Sequence, residues 1–210
     1  GEYPYSTVKA VENPFITGGG MEYPTITLIG KTDNPWELES LITHETGHNW
    51  FYGILGSNER KFPWMDEGMN TYYDNRSAEK PIELENKQLI VKRDPFWNKR
   101  TADNWEDLLL SNQIAQRNDQ PIMTSAPDFS AINYALIAYN KSGAWMKKLE
   151  NNLGRDLFDS VMKKYHETWK FKHPSPHDFQ SVAESVSGKN LDSLFILLNQ
   201  KGYLDQPKRN

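Results

Sequence analysis

The chain has 210 residues, of which 37% are hydrophobic and 12% aromatic, enough to form a core and to exclude disorder over most of its length. Its 24 basic and 28 acidic residues are well mixed and give a net charge of −4, so no basic stripe marks a nucleic-acid-binding face. The lack of cysteine excludes disulfides and thiolate metal sites, and no apolar run reaches the roughly 18 residues that span a bilayer. None of these features indicates a cellular compartment.

Residues 1–35 are rich in Gly, Pro, Thr and Tyr and are predicted to contain a small sheet. The β-rich alternation over residues 25–29 predicts a strand, and an extended peptide could pair with its edge. Three glycines at 18–20 precede this strand and indicate flexible or closely approached backbone. The first residues carry no signal peptide and resemble the middle of a longer protein, so we expect a further domain upstream.

From Trp36 onward the spacing of apolar residues is mostly helical. The predicted helices cover residues 36–53, 66–79, 81–92, 105–117, 130–152, 155–168, 176–187 and 190–201. Gly154 and Gly188 follow two of these helices, at positions where glycine commonly ends a helix. The sequence therefore predicts a helix-dominant α+β fold: one domain over residues 1–210, with a sheet segment at 1–35 and a helical body at 36–210.

The segment His44-Glu45-Thr46-Gly47-His48 is a complete H-E-x-x-H pattern on a predicted helix. Residues four apart lie one turn apart on the same helical face, so both imidazoles can share one metal ion. Zinc favours such nitrogen ligands, and a catalytic zinc site keeps one position for water. Glu45 lies between the two histidines and is placed to take a proton from that water rather than to bind the metal.

Two imidazoles need a third ligand, and Glu67 is the candidate, with 18 residues between it and His48. It opens the second helix after a turn with Pro63, so that helix can pack back on the first. The alternative is a solvated His/Glu/His face. Against it, the apolar neighbours Ile42 and Trp50 indicate a largely buried helix, where unpaired polar groups are costly.

A second metal site is not expected. His173 and His177 are also four residues apart, but Pro174 and Pro176 exclude a helix interior between them. The two imidazoles therefore do not share a helical face, and one zinc ion per chain is expected.

Four segments, in the right order, resemble peptidase family M1, the gluzincin aminopeptidases. Gly19-Gly20-Met21-Glu22-Tyr23 is similar to the family's G-x-M-E-N motif, with Tyr23 in place of the usual Asn. His44 to Glu67 resembles H-E-x-x-H-x18-E, and Trp64-Met65-Asp66-Glu67-Gly68 resembles W-L-N-E-G. Tyr139-Asn140-Lys141-Ser142-Gly143 resembles the family's Tyr-x-Lys segment. The resemblance covers at least residues 19–143 and extends into the C-terminal helices.

The resemblance implies a thermolysin-like fold, bound zinc, and a peptide with a free N-terminus as substrate. It implies that Glu45 is the general base and that Tyr139 donates a hydrogen bond to the developing oxyanion. The implied zinc ligands are His44, His48 and Glu67, and the implied substrate-binding residues are Gly19, Gly20, Met21 and Glu22. In relatives, an upstream β-rich domain supplies a further acidic or amide group that holds the substrate's amine.

From the residues alone, two of these roles have simpler alternatives. Glu22 is either a carboxylate that meets a cationic N-terminus or an ordinary surface residue. Tyr139 is either a neutral phenol donor at pH 7 or a core residue. An aminopeptidase is therefore the main prediction. The alternatives are a zinc endopeptidase or other zinc hydrolase, which would not need Glu22, and a module that binds zinc but is inactive.

Overall fold

A computed structural model describes residues 1–16, 18–78 and 105–205. A three-stranded sheet comes first in the chain and a larger helical body follows, so the predicted helix-dominant α+β class is confirmed. The helix predicted at residues 81–92 lies outside the described residues.

The sheet is formed by β1 (Lys9–Asn13), β2 (Gly20–Met21) and β3 (Ile26–Gly30). β3 lies in the centre, parallel to β1 and antiparallel to β2. The strand predicted at residues 25–29 is therefore present, shifted by one residue to 26–30. The expectation that a peptide could pair with its edge was wrong, because β3 already has a partner strand on each side. Four of the five β1 residues are exposed, so this strand lacks the apolar alternation that would have predicted it.

In the part of the chain that the structure describes, the helical body contains ordinary α-helices and two π-helical segments. In chain order its helices are α1 (Pro35–Gly47), the first π segment (Trp64–Gly68), α2 (Met69–Ala78), α3 (Trp105–Ala115), α4 (Ala131–Asn133), the second π segment (Tyr134–Lys141), α5 (Ser142–Leu153), α6 (Arg155–Trp169), α7 (Pro176–Ser187) and α8 (Asp192–Phe195). Short 3₁₀ turns occupy Ala126–Asp128 and Ile196–Asn199. Among the described residues, no helix is long and apolar enough to cross a membrane.

The first helix is shorter and more exposed than predicted. α1 begins after Asn34, whose side chain accepts hydrogen bonds from the first turn, and it ends at Gly47 instead of residue 53. The chain then turns, and Tyr52 has φ 105°, which a helix cannot contain. Glu45 is the one buried residue of α1, and Ile42 is 36% exposed, so the prediction of a largely buried helix was wrong. Burial is instead concentrated where the helix ends.

The C-terminal helices follow their predicted bounds more closely. Gly154 and Gly188 have φ values of 84° and 65°, and they end α5 and α7 as predicted. Ser175 and Asp178 form a capping box at the start of α7. The helix predicted at 190–201 is shorter, because α8 tightens into a 3₁₀ turn after Phe195.

The core holds the first π segment in place through aromatic contacts. The fully buried rings of Trp64 and Trp145 meet edge to face with centroids 5.4 Å apart, and Phe195 lies 5.0 Å beyond Trp145. The indole N–H of Trp145 donates to the carbonyl of Leu194 at 2.9 Å. α5 and α8 therefore support the backbone that carries Glu67.

Gly68 of the first π segment packs directly against the second π segment and the start of α5. A Cβ atom added at this residue would clash with the Ser142 Cβ and lie 2.9 Å from the carbonyl oxygen of Ala138. The Ser142 hydroxyl is itself fixed, because it donates to the Ile137 carbonyl at 2.6 Å. Only glycine fits at this position without moving the first π segment or the elements that carry Ala138 and Ser142.

Gly68→Ala is therefore expected to lower the free energy of unfolding by about 1–3 kcal/mol through overpacking. Gly143→Ala is the matched control, because a Cβ there would meet Thr71 Cγ2 at 3.2 Å and alanine favours the helix. Urea denaturation of both variants measures the difference. Equal stability of the two variants would contradict a backbone contact at Gly68.

Candidate metal centre

The end of α1 brings two imidazoles together. His44 and His48 lie one helical turn apart, and their Nε2 atoms are 3.1 Å from each other. The two rings meet edge to face with centroids 4.7 Å apart. His48 caps the end of α1 and its side chain is 1% exposed, and that of His44 is 17% exposed, so the two rings do not lie on a solvated face.

Glu67 completes the group from the first π segment. Its Oε2 atom lies 3.2 Å from His44 Nε2 and 3.3 Å from His48 Nε2. Ligands at about 2.0–2.1 Å from a tetrahedral ion would be about 3.3 Å apart. The spacing of the three atoms therefore fits one small divalent cation.

The remaining ring nitrogens are held by carboxylates. His44 Nδ1 lies 2.7 Å from Asp74 Oδ2, and His48 Nδ1 lies 2.6 Å from Asp66 Oδ1. Since a carboxylate only accepts hydrogen bonds, each Nδ1 carries a proton, and in the neutral ring Nε2 is the nitrogen that offers a lone pair to the centre. Sequence reasoning missed both carboxylates. Asp74 lies two helical turns after Glu67, and that spacing was the available signal.

The same contacts shift the pKa values of the three side chains that form the centre. Burial alone would lower the pKa of His44, but hydrogen bonds to Asp74 and Glu67 raise it to about 9. Burial likewise opposes protonation of His48, and its bonds to Asp66 and Glu67 raise its pKa to about 11. Burial would raise the pKa of Glu67, yet the two histidines lower it to about 2. A bound divalent cation would take the place of protons on the ligand atoms, because imidazole must be neutral to bind a metal.

Glu45 lies beside this group without joining it. The residue is only 5% exposed, and its Oε2 atom has no hydrogen-bond partner among the described residues. Burial, opposed by His44 and His48, raises the pKa of Glu45 to about 7. A Cβ atom at Gly20 would lie 2.5 Å from the Glu45 carboxyl group, so the glycine at this point of β2 leaves room for it. The carboxylate is thus free to exchange a proton.

Tyr139 approaches the centre from the second π segment. Its hydroxyl donates to Glu67 Oε1 at 2.6 Å, and its ring stacks on His44 with centroids 5.8 Å apart. Burial, followed by the charge of Glu67 and the hydrogen bond to it, raises the pKa of Tyr139 above its usual value. The phenol is therefore a neutral donor at the centre. Tyr134, which sequence reasoning missed, packs edge to face against it with centroids 5.9 Å apart.

A second group of carboxylates adjoins the first. Oxygen atoms of Glu22, Glu59 and Asp66 lie within 4.8 Å of one another. Glu22 follows directly after β2, which Gly20 and Met21 form, and Gly19 precedes it with φ 139°. Within residues 1–16, 18–78 and 105–205, neither Glu22 nor Glu59 pairs with a lysine or arginine. The side of the centre next to β2 is therefore negatively charged.

The chain is similar to proteins of one peptidase family. The "Peptidase family M1 domain" matches residues 1–197. The chain is 23% identical to aminopeptidase M1-B of Oryza sativa subsp. japonica, covering 96% of this chain and 23% of that protein. It is also 23% identical to alanine/arginine aminopeptidase of Saccharomyces cerevisiae, covering 95% of this chain and 24% of the relative. The chain thus spans about a quarter of the length of these relatives.

Solved structures share the fold at lower identity. An M1 zinc metallopeptidase from Deinococcus radiodurans superposes with a TM-score of 0.66 at 15% identity, over 99% of this chain and 43% of that one. A mutant of that enzyme has been solved with a Tyr-Ser-Ala substrate, with a TM-score of 0.66 at 15% identity over 94% and 40% of the two chains. Legionella pneumophila aminopeptidase A, in complex with aspartic acid, gives 0.67 at 19% identity, over 92% and 21%.

Asp74→Ala is expected to weaken divalent-cation binding about 10- to 100-fold, because the His44 ring loses the partner that orients it. Asp156→Ala, an exposed aspartate on α6, serves as the control. A competition titration against a chromophoric chelator measures both affinities. Unchanged affinity in Asp74→Ala would show that the contact with His44 does not orient a ligand.

Proposed function

The chain belongs to peptidase family M1, and we propose that it is a zinc-dependent aminopeptidase domain that hydrolyses the first peptide bond of peptides with a free N-terminus. One observation carries the proposal. Three ligand atoms on His44, His48 and Glu67 converge within 3.3 Å of one another, and beside them lies the buried carboxyl group of Glu45, whose Oε2 atom has no hydrogen-bond partner among the described residues.

We assign zinc to the centre because two imidazoles and a carboxylate are the protein ligands that a catalytic zinc site uses, with a fourth position left open. His44, His48 and Glu67 would hold it, one ion per chain. When bound, zinc is a Lewis acid that polarises a carbonyl oxygen and acidifies water. The carboxylates on both Nδ1 atoms support this assignment, since they keep the imidazoles in the ligating tautomer.

Glu45 is the proposed general base. It takes a proton from the attacking water and passes it to the leaving amine. Its position supports this role, because it lies next to His44 in sequence but makes none of the contacts that join the three ligands. The space over Gly20 leaves its carboxyl group unobstructed.

Tyr139 is the proposed donor to the developing oxyanion. Its hydroxyl lies at the centre, where it donates to Glu67 Oε1, and its raised pKa keeps the proton on the phenol. A neutral donor held in a buried site stabilises an oxyanion without reorganising at the moment of reaction. In this role the hydroxyl exchanges Glu67 for the substrate oxygen.

Glu22 is the proposed anchor for the substrate's α-ammonium. The neighbouring carboxylates of Glu59 and Asp66 add to the negative charge at this place. Gly19, Gly20 and Met21 lie at β2, which pairs with β3 on one side, and its other side carries no described strand. An extended peptide that pairs there would present its N-terminus near Glu22.

Glu45→Gln tests the proposed chemistry. It is expected to lower kcat on the order of 10²-fold or more while the chain still binds one zinc ion, since the change removes a base and no ligand. Aminoacyl-anilide hydrolysis and metal analysis of the same sample provide the two measurements. Glu12→Gln on the exposed strand β1 is the control. Unchanged turnover would reject Glu45 as the base, and loss of zinc would make it structural.

Glu22→Gln tests the aminopeptidase assignment itself. A charged hydrogen bond to an α-ammonium is expected to contribute a factor of about 10–100 in kcat/KM, so the variant should lose that factor on free-amine peptides. N-acetylated, internally quenched peptides should be cleaved poorly by the wild type and be insensitive to the change. Equal cleavage of free and acetylated peptides by the wild type would reject the aminopeptidase assignment in favour of an endopeptidase.

A further inference from the structure

A buried ion pair lies behind the second π segment, and neither member has a role in the proposed chemistry. Lys141 ends this segment, and its Nζ atom is 3.6 Å from Asp119 Oδ2. Each residue is only 2% exposed. The Nζ atom makes no hydrogen bond to any described residue, and burial lowers the pKa of Lys141 against the opposing effect of Asp119.

Such a pair is not explained by stability. Removing two charges from water is costly, and apolar side chains of similar volume often stabilise a core as well or better. Buried ion pairs are best attested where they fix a register or an arrangement of elements. Lys141 lies two residues after Tyr139 on the second π segment, so this segment is the element whose register the ion pair can fix.

Asp119 is itself firmly held. Its Oδ2 atom accepts the N–H of Gly202 at 2.6 Å. On either side of it, the Asn118 carbonyl and the Gln120 side chain accept hydrogen bonds from Asn133 Nδ2 at 2.7 and 3.0 Å. Asn133 directly precedes the second π segment, so residues 118–120 are tied to its start. Through Asp119 and Lys141 they are also tied to its end.

The register of this segment determines where Tyr139 points. A π-helical turn contains one residue more than an α-helical turn, and each residue of an α-helix turns the chain by about 100°. A return to α-helical register would therefore rotate Tyr139 by about that angle relative to the end of the segment. Its hydroxyl would leave Glu67 Oε1, now 2.6 Å away, and its ring would leave His44.

We propose that Lys141 and Asp119 are positioning residues for Tyr139, and that their ion pair holds the second π segment in the register that keeps the Tyr139 hydroxyl at the metal centre. The catalytic part of this inference rests on the proposed function, in which Tyr139 is the oxyanion donor. Neither member of the pair touches substrate, and both act through Tyr139.

Lys141→Met and Asp119→Asn are expected to lower kcat about 10- to 100-fold with KM within about threefold, because a small misplacement of a catalytic group slows the chemical step. Lys148→Met is the matched control. It also removes a lysine from an ion pair with a C-terminal aspartate, Asp205, but that partner is 81% exposed and the pair does not reach the π segment. The control is expected to keep wild-type kcat.

A double-mutant cycle separates positioning from a general loss of structure. In a Tyr139→Phe background, Lys141→Met should cause little further loss of kcat, because the hydroxyl it positions is gone. Losses that multiply in full would overturn the proposal. The double variant Lys141→Met with Asp119→Asn buries no unpaired charge, so it is expected to stay folded and still show the lower kcat.

A measurement that needs no turnover distinguishes failure of the proposed aminopeptidase function from failure of the positioning role of Lys141 and Asp119. With 3-fluorotyrosine placed at position 139, the ¹⁹F resonance should shift in Lys141→Met and in the double variant but not in Lys148→Met. If the wild type cleaves no peptide and the resonance shifts, the proposed function fails and the positioning role stands. If the wild type cleaves peptides and neither kcat nor the resonance responds to Lys141→Met, the positioning role is wrong.

Discussion

The buried carboxylate of Glu67 is the interaction around which the described helices are arranged. One of its oxygens meets both imidazoles, and the other accepts a hydrogen bond from the hydroxyl of Tyr139. An ionised carboxylate that is only 7% exposed is costly unless each oxygen has a partner. These partners come from α1 and the second π segment, so the metal centre can form only where three helical elements meet.

The π register of the second segment serves that requirement. In an α-helix, residues five apart point about 140° away from each other, whereas Tyr134 and Tyr139 lie side by side with centroids 5.9 Å apart. The wider turn allows one short segment to present both phenols to the centre. It also needs a close crossing with the segment that carries Glu67, which the missing side chain of Gly68 makes possible.

Features that depend on neighbouring residues could be predicted from the sequence, whereas features that depend on contacts between distant residues could not. Local signals were enough to predict the helix ends at Gly154 and Gly188. A fixed spacing was enough to single out His44, His48 and Glu67 as a group that the structure brings together.

Strand β1 could not be predicted, because its register comes from pairing with β3 rather than from its own exposed residues. The end of α1 was placed six residues too late, because apolar spacing continues through a turn that only backbone angles reveal. Tyr134 lies five residues before Tyr139, a spacing that brings two side chains together only in a π-helix, so nothing local in the sequence marks it.

Electrostatics links the metal centre to the ion pair behind it. Carboxylates surround the centre on several sides, with Asp66 and Asp74 behind the imidazoles and Glu22 and Glu59 next to β2. This excess of negative charge favours cations, both a metal ion and a substrate ammonium. A single buried lysine at position 141 would weaken that field close to Tyr139. Asp119, 3.6 Å from its Nζ atom, cancels most of this charge at a distance, so the pair can fix the register of the second π segment without opposing the binding of cations.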